Sequence, residues 1–534
     1  MSNELFLGPP LKDKSRIRQK KFAPKVRTGC IVCRIRRVKC DETRPSCTKC
    51  TSTGRKCGGY THNEGPRDKT LVTIRPAETV SPVSVSAGSE DLHMFHMFRL
   101  DVIYQTSGLF DKPFWQVDIL RAARERPAIW HANLAFAAIY RWRELRHSDQ
   151  VNAEQKIYDL YAFSIKHYNA AIQGLLSITK KTNQTVSDKE TLLLTETLFV
   201  GLNAVQGNLT SAIAHANNAN TFFYTWEFWK YAEAIPHGLV LRPSSLVALL
   251  TNFESQMLHR LRNKSAPRCR RGQKLFKVST QPFRTIEDAY HEFVRLFAAI
   301  ITSCRCSDHT ESHVMLPEPL VFPYHVSQML LWADKFDALR LAKSLAREIH
   351  GFPYKLLELQ SMALRACGRC DPNDGVFMFD NQTAILWKIL IGLEKLVGDA
   401  LEAHDGIVPR FSFSISICEL MYWITTACRD HDMRVRSVAL LRKWPIQDGL
   451  LDSRLIAPLL ETFTKVEDAP GIRNMTLCAE DGECECMYRK FICGKHRIVR
   501  SVVEFMKEGE VNFSWETVED ISQGRGEQVQ KLFY

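Results

Sequence analysis

Six cysteines near the amino terminus constrain the fold of this 534-residue chain more than any other feature. They form the pattern C-x2-C-x6-C twice, with six residues between the copies: Cys30, Cys33, Cys40, Cys47, Cys50 and Cys57. Two thiolates spaced as C-x2-C can reach one tetrahedral metal ion from a tight turn. Six thiolates cannot fill two separate four-ligand sites, so two zinc ions would need two bridging sulfurs. The repeat makes its first cysteines, Cys30 and Cys47, the candidates for bridging.

A disulfide framework is the alternative for these cysteines, and it requires an oxidising compartment. Residues 1–14 contain no apolar core of a signal peptide. The longest apolar runs, such as residues 297–301, are far shorter than the roughly 18 residues that cross a bilayer. We therefore expect the chain to stay in a reducing compartment, away from membranes, and to bind two Zn2+ ions.

The positive charge of the chain lies almost entirely at its amino terminus. Residues 1–60 hold 16 basic and 4 acidic residues, which accounts for the whole formal net charge of +12. A basic block on a neutral body indicates a polyanionic partner, with nucleic acid first and an anionic membrane second. We expect no membrane partner, because neither an amphipathic helix nor a lipidation site is evident. A solvated, disordered tail is the remaining alternative.

The segment from Gly29 to Cys57 resembles the fungal binuclear zinc cluster, the Zn2Cys6 DNA-binding domain. This resemblance implies a small domain of two short helices and loops, with each C-x2-C pair beginning a helix. It implies that Cys30, Cys33, Cys40 and Cys47 hold one zinc, and that Cys47, Cys50, Cys57 and Cys30 hold the other. It also matches Pro45 to a loop proline that is often cis.

The two halves of the repeat differ in charge. Residues 34–39 contain four cations, whereas residues 51–56 contain two, so we expect the helix after Cys33 to enter the major groove. By the resemblance, Arg37 stands where relatives place a lysine on a CGG-type triplet, and arginine can pair bidentately with guanine. Arg34 and Lys39 match phosphate-holding positions, and Arg36 matches one whose backbone reaches the bases. Solvated charges beside a zinc site are the alternative.

A second basic run precedes the cysteines, and it lacks apolar periodicity. We interpret residues 1–28 as a basic disordered arm that serves in nuclear import, in phosphate binding, or in both, and a plain solvated tail is the alternative. Its leading cations are Lys12, Lys14, Arg16, Arg18, Lys20 and Lys21. Residues 29–58 then form the DNA-binding domain and residues 59–90 a flexible linker rich in Gly, Pro, Ser and Thr. No leucine heptad occupies residues 71–87, so contacts of any homodimer would come from elsewhere, and a monomer bound to one triplet is the alternative.

Residues 91–534 have the composition and periodicity of a helical domain. Helices are predicted over residues 128–142, 157–175, 190–205 and 212–223. Residues 162–176, 207–223 and 428–452 resemble the fungal-specific transcription-factor regulatory domain, which implies a large all-α regulatory domain; Leu451 replaces a frequent tryptophan. Residues 411–417 alternate like a strand, but we predict a loop or a helix start there. We interpret His131 and His215 as structural.

Four further cysteines cluster as C-x5-C-x-C-x6-C, namely Cys478, Cys484, Cys486 and Cys493. A third metal site or a redox switch is the alternative, but ordinary reduced thiols are the prediction, because this spacing matches no common zinc pattern. The same prediction applies to Cys304, Cys306, Cys367 and Cys370.

The sequence predicts a transcription factor of RNA polymerase II genes in the nucleus. No phosphate-loop, dinucleotide, zinc-protease or nucleophile-elbow motif argues for an enzyme. The expected partners are double-stranded DNA, co-regulators or the transcription machinery, a nuclear import receptor and a second copy of the chain. An enzyme without a recognisable motif is the rival class, and a DNA-binding scaffold that represses by occupying sites or by recruiting partners is a third.

Overall fold

A computed structural model of the chain divides it into two compact units, residues 1–79 and 80–534, and each unit is described by itself. The predicted finer division into arm, cluster domain, linker and regulatory domain stays a prediction. The structure describes the following residues: 29–36, 38–59, 87–146, 153–232, 238–260, 276–305, 322–344, 350–403, 411–415, 417–473, 492, 494–507 and 509–534.

The first unit contains two short helices, α1 (Ile31–Ile35) and α2 (Thr48–Thr51). The amide of Ile31 donates to the carbonyl of Gly59 at 3.1 Å, which brings the two ends of residues 29–59 together. The loop between the helices contains a cis peptide bond at Arg44–Pro45, as the resemblance implied. At Gly29 a side chain would lie 2.9 Å from the Cβ of Cys40, so this close approach requires glycine.

The second unit begins with helices and two π-helical turns, Phe98–Val102 and Phe114–Asp118. Its first eight α-helices are α3 (Ser89–Met97), α4 (Ile103–Thr106), α5 (Ile119–Glu125), α6 (Pro127–Arg146), α7 (Glu154–Thr179), α8 (Val186–Gln206), α9 (Leu209–Thr225) and α10 (Pro243–Arg260). The four helices predicted from periodicity are confirmed within α6, α7, α8 and α9.

The boundaries of these helices follow from local chemistry. Pro127 begins α6, where its missing N–H has no intrahelical partner to lose. Thr185 and Asp188 form a reciprocal capping box at the start of α8. Gly207 ends α8 in the left-handed region at φ 96°, and the side chain of Asn208 then caps α9.

The remaining helices complete the second unit. They are α11 (Ile286–Arg305), α12 (Phe322–Ala342), α13 (Phe352–Cys367), α14 (Thr383–Ala403), α15 (Cys418–Ala427), α16 (His431–Lys443), α17 (Ser453–Arg473) and α18 (Val518–Gln523), with 3-10 turns at Phe228–Ala232, Pro372–Phe377, Asp380–Gln382 and Gly494–His496. Their apolar faces and those of the earlier helices form three buried clusters, the largest around α6 and α8. None of the described helices combines the length and apolarity of a membrane span.

Two small sheets show that the expectation of an all-α second unit was wrong in part, although the unit is largely helical. The first sheet joins β1 (Phe411–Ser412), β2 (Gln447–Asp448) and β3 (Leu451–Asp452). The second is antiparallel, in the order β4 (Ile498–Lys507), β5 (Glu510–Thr517) and β6 (Gln528–Phe533). β4 and β5 are rich in β-branched and aromatic residues, and Val503, Val511 and Phe513 bury one face of the sheet in the main core.

The predicted loop or helix start at residues 411–417 was wrong at its beginning. Phe411 and Ser412 form β1 and pair in parallel with β2. The aromatic side chain of Phe411 is fully buried and packs edge-on against that of Phe413. The rest of the prediction is confirmed, since α15 begins at Cys418.

The segment that resembles the regulatory-domain signature has a structural role. Asp430 caps α16 by accepting from the amide of Met433 at 3.2 Å. Gly449 turns the chain between β2 and β3 at φ 59°, where a Cβ would meet Phe253 at 3.0 Å. Leu451 is buried in a core cluster.

Candidate metal centre and nucleic-acid interface

The two short helices bring the cysteines of both halves to one centre. Cys30 precedes α1, which carries Cys33, and Cys47 precedes α2, which carries Cys50. All four sulfur atoms are buried and lie within 4.8 Å of one another. The Sγ atom of Cys30 lies 3.6 Å from that of Cys47 and 3.7 Å from that of Cys50. The Sγ atom of Cys33 lies 3.6 Å from that of Cys47 and 3.8 Å from that of Cys50.

These separations fit a zinc–thiolate centre. Zinc binds thiolate sulfur at about 2.3 Å in a tetrahedron, whose edge is then about 3.8 Å. The four sulfur–sulfur distances between the halves have that length, whereas a disulfide would require about 2.05 Å. The cysteines of this cluster are all free thiols. The donor set therefore fits zinc, which would supply the charge that holds the thiolates together.

The remaining two cysteines lie at the rim of the same centre. Cys40 Sγ accepts from the amide of Cys30 at 3.5 Å, and Cys57 Sγ lies 4.0 Å from Cys47 Sγ. The structure thus brings all six predicted ligands together. Cys30 and Cys47 each contact sulfur from the opposite half, but so do Cys33 and Cys50. The assignment of Cys30 and Cys47 as bridges stays a prediction.

Burial sets the protonation of the metal-free thiols. Desolvation raises the pKa of Cys33, Cys47 and Cys50 to about 12. A metal ligand must be a thiolate, so binding of a cation has to displace these protons. Backbone hydrogen bonds instead lower the pKa of Cys57. Protons and metal therefore compete for this centre.

Asp41 is a positioning residue that the sequence analysis missed. Its carboxylate accepts from the backbone N–H of Thr48 at 2.9 Å and from that of Lys49 at 3.4 Å, at the start of α2. It also accepts from the hydroxyls of Thr43, at 2.6 Å, and of Thr48. These hydrogen bonds hold the pKa of Asp41 well below its usual range. In the sequence Asp41 stands seven residues before the start of α2. A residue that caps a helix normally lies directly before it, so this spacing does not identify Asp41 as a cap.

The basic segment after Cys33 is less helical than predicted. α1 ends at Ile35, and residues 38–40 are irregular. The chain leaves the helix because it must return Cys40 to Cys30, whose amide contacts the sulfur. Arg36 and Lys39 therefore follow α1 rather than extend it.

Of the four residues predicted to contact DNA, the structure describes the side chains of two. Arg36 Nη1 donates to Thr53 Oγ1 at 3.3 Å and to the carbonyl of Lys49 at 3.4 Å, so its side chain links the two halves. Lys39 is exposed. The side chain of Arg34 and the whole of Arg37 lie outside the described residues, as do Lys12, Lys14, Arg16, Arg18, Lys20 and Lys21.

Other candidate ligands belong to the core of the second unit. His131 Nδ1 lies 2.9 Å from His167 Nδ1, and His215 Nδ1 lies 2.7 Å from a carboxylate oxygen of Glu196. Both contacts confirm a structural interpretation. Cys370 is a buried thiol that donates to the carbonyl of Ala366 at 3.2 Å, as an ordinary thiol does.

Most of the other cysteines predicted to be ordinary thiols fall outside the part of the chain that the structure describes. Cys306, Cys478, Cys484, Cys486 and Cys493 lie outside the described residues, as does the side chain of Cys304.

Comparison with protein families identifies the first unit. Residues 28–66 match the fungal Zn(2)-Cys(6) binuclear cluster domain. The match covers all six cysteines and the basic residues among them. The chain therefore carries this domain.

Curated relatives extend the similarity beyond that domain. An aspercryptin biosynthesis cluster-specific transcription regulator of Emericella nidulans is 28% identical over 283 residues, 48% of this chain and 42% of the relative. A Zn(2)-C6 fungal-type transcription factor of Aspergillus fumigatus is 37% identical over 125 residues, 22% of this chain and 32% of the relative. The transcriptional regulatory protein moc3 of Schizosaccharomyces pombe is 38% identical over 77 residues, 14% of each chain.

The chain spans less than half the length of these relatives. All three are named as transcription regulators, and none is named as an enzyme. No solved structure gives a significant match. The chain is thus similar to fungal zinc-cluster transcription regulators.

Proposed function

We propose that this protein is a zinc-dependent, sequence-specific transcription factor of RNA polymerase II genes. Its cluster domain reads CGG-like triplets in the major groove through α1 and the residues that follow it. One observation carries the proposal: the sulfur atoms of Cys30, Cys33, Cys47 and Cys50 lie within 4.8 Å of one another, inside a strongly basic segment.

The charge balance of the cluster domain supports DNA as the ligand. Six thiolates and two Zn2+ ions sum to a net charge of −2, which by itself repels phosphate. Residues 30–57 contain eight basic and two acidic residues, which outweigh that charge. Arg34 and Lys39 would contact phosphates, and Arg37 would pair with guanine. A count of two Zn2+ per chain belongs to this proposal.

Base recognition is tested by comparing Arg37→Ala with Lys39→Ala in the full chain. Both variants remove one cation from the same segment, so Lys39→Ala is the matched control for charge. Titrations use a duplex with a CGG triplet and a duplex with that triplet scrambled. Arg37→Ala should reduce the preference for CGG by about 1–3 kcal/mol, whereas Lys39→Ala should weaken binding to both duplexes alike. Equal effects would contradict the assigned roles.

The basic arm adds sequence-independent contacts to this proposal. Deletion of residues 12–27 should reduce the slope of log affinity against log salt by about 0.9 for each phosphate group that the arm neutralises. An unchanged slope would leave the arm with nuclear import as its role. Loss of nuclear accumulation in the deleted chain would support import.

The second unit would act as the regulatory region, through co-regulators or the transcription machinery. A fusion of residues 91–534 to an unrelated DNA-binding domain, placed beside a reporter gene, distinguishes an activator from a repressor. A scaffold that represses only by occupying sites would leave this reporter unchanged.

A further inference from the structure

The loop between Cys50 and Cys57 contains a threonine that a second macromolecule can reach. All six residues of this loop, 51–56, are exposed. Thr53 follows the single turn of α2, and at the next residue, Gly54, a Cβ would meet no atom within 4 Å. The loop therefore stands open to solvent around the hydroxyl of Thr53.

This hydroxyl lies beside a guanidinium group from the other half of the cysteine repeat. Arg36 Nη1 donates to Thr53 Oγ1 at 3.3 Å and to the carbonyl of Lys49 at 3.4 Å. The hydroxyl in turn faces the carbonyls of Lys49 and Cys50, at 3.0 and 3.1 Å. An oxygen of a group attached to Thr53 Oγ1 would thus lie within reach of Arg36.

Three further cations stand close to Thr53 along the chain. Lys49 precedes it by four residues, about one helical turn. Arg55 and Lys56 follow it by two and three residues, and all three cations are exposed. A phosphate group opposite such a cationic cluster is stabilised by charge-assisted hydrogen bonds. The same cations complement the acidic substrate groove of a protein kinase.

We propose that Thr53 is a phosphorylation site, modified by a protein kinase that selects cations beside the acceptor hydroxyl. Thr53 Oγ1 attacks the γ-phosphorus of ATP, a bond forms between these two atoms, and the bond from that phosphorus to the bridging oxygen of ADP breaks. ADP leaves with the electron pair, and the hydroxyl proton passes to a carboxylate base of the kinase. The product carries about −1.5 to −2 charges at pH 7 and three strong acceptor oxygens.

Arg36 would hold this phosphate against the second half of the repeat. Arginine donates to phosphate through two parallel N–H groups, which is stronger than its present hydrogen bond to a neutral hydroxyl. Eight basic and two acidic residues with a cluster charge of −2 leave residues 30–57 at +4, and the phosphate lowers this to about +2. The modification thus removes half of the positive charge of the cluster domain.

Phosphorylation should therefore weaken binding to DNA, and this effect rests on the proposed function. Loss of two positive charges lowers the slope of log affinity against log salt by up to about 1.8, and at physiological salt it lowers the affinity at least about tenfold. The inference goes beyond the proposed function, which includes no means of switching the cluster domain off.

The alternative is that the hydroxyl of Thr53 only closes the end of α2. Thr51 is equally exposed, but its hydroxyl contacts the carbonyls of Cys47 and Thr48. Among the described residues, Thr53 is the one hydroxyl that accepts from Arg36. A phosphate near the end of a helix opposes the helix dipole, but α2 has only four residues, and the surrounding cations outweigh that effect.

Phosphate mapping on the full, zinc-loaded chain tests the site without DNA. The chain is incubated with ATP and the catalytic domain of protein kinase C, which selects cations after the acceptor, and tandem mass spectrometry locates the phosphate. We expect phosphate at residue 53 of the wild type and none there in the isosteric variant Thr53→Val. Ser52→Ala, which removes the neighbouring hydroxyl, should be modified at residue 53 like the wild type. A wild-type chain without phosphate at residue 53 would overturn the proposal.

Titration with the CGG duplex measures the consequence for DNA. Phosphates elsewhere in the chain are common to the wild type and to Thr53→Val, so the comparison isolates residue 53. Kinase treatment should weaken binding by the wild type at least about tenfold more than binding by Thr53→Val, with the zinc content unchanged. Equal losses in the two proteins, or release of zinc on phosphorylation, would overturn the role assigned to Arg36. An untreated wild type that does not prefer CGG would instead show that the proposed function fails, and the phosphate map would still test the site.

Discussion

The carboxylate of Asp41 lies 2.9 Å from the backbone nitrogen of Thr48, at the first residue of α2. This contact joins the segment after the first half of the cysteine repeat to the start of the second half. It satisfies an N–H group that has no partner inside the helix, and it places a negative charge at the helix start. Cys47 lies directly before Thr48, so the same contact helps to position a sulfur atom of the cysteine cluster.

Replacement of Asp41 should loosen the metal centre without removing a ligand. Asp41→Asn replaces the carboxylate that accepts from the backbone N–H groups of Thr48 and Lys49 with a neutral amide. We therefore expect faster transfer of zinc to a chromophoric chelator and weaker DNA binding. Glu42→Gln removes one negative charge from the neighbouring residue, which does not take part in those hydrogen bonds. It should therefore have a smaller effect on zinc transfer and on DNA binding. Equal rates of zinc transfer in the two variants would show that net charge, rather than the contact to Thr48, controls zinc retention.

Removal of one sulfur ligand should abolish specific DNA binding. Cys40→Ala removes a rim ligand from the cluster domain, so elemental analysis should find less zinc than the two equivalents expected for the wild type. Cys370→Ala removes a thiol of the second unit and should keep both equivalents and full DNA binding. Specific binding by Cys40→Ala at wild-type strength would refute the metal assignment.

The cysteine spacing predicted that the six sulfur atoms would meet, because each C-x2-C pair can reach one centre from a tight turn. The same spacing did not reveal Asp41 or the side chain of Arg36, because their hydrogen bonds depend on how the loop folds around the cluster of sulfur atoms. The helix α1 ends at Ile35 because the chain has to return Cys40 to Cys30. This constraint comes from the tertiary fold, and residues 36–39 give no sign of it in the sequence.

The helices of the second unit were predictable where a helical spacing of apolar residues is bounded by a residue typical of a helix end. Pro127 at the start of α6 and Gly207 at the end of α8 are examples. The sheet from β4 to β6 was missed because the resemblance implied helices throughout. In addition, residues 498–507 mix six apolar with four polar residues in an order whose period does not distinguish a strand from a helix. Pairing with β5 and burial of Val503 against the core determine the outcome.

A buried ion network should control the stability of the second unit. Glu467 is fully buried and pairs with Arg434 at 2.6 Å and with Arg497 at 3.3 Å. Glu467→Gln would leave two buried guanidinium groups without a countercharge, so we expect a loss of about 3–5 kcal/mol in the free energy of unfolding. Urea titration followed by tryptophan fluorescence measures this loss.

The exposed pair of Arg442 and Glu461 provides the control for that network. Glu461→Gln removes the same charge at the surface of the same helix, α17, and should cost less than about 1 kcal/mol. Zinc content should stay at the wild-type value in both variants, because the network lies in the second unit. A cost for Glu467→Gln no larger than that for Glu461→Gln would contradict the assigned role.

Stability of the second unit should also fall as the pH drops below about 6.5, through His167. Burial lowers the pKa of His167 to about 4, against the opposing effect of Asp91, whose carboxylate lies 3.3 Å away. His131, 2.9 Å away through the Nδ1 atoms, and Lys166 lower it further. The folded protein therefore keeps His167 neutral where the unfolded chain already binds a proton.

The sign of the pH dependence follows from that difference in protons. Between about pH 6.5 and pH 4 the unfolded chain binds one more proton at His167, so stability declines by up to about 1.4 kcal/mol per pH unit as the pH falls. Above that window His167 contributes no slope. Urea midpoints at pH 7.5 and 5.5 should thus differ less in His167→Phe than in the wild type. His431→Gln, which changes a more exposed imidazole, should keep the wild-type difference, and an unaltered difference in His167→Phe would exclude His167 as its source.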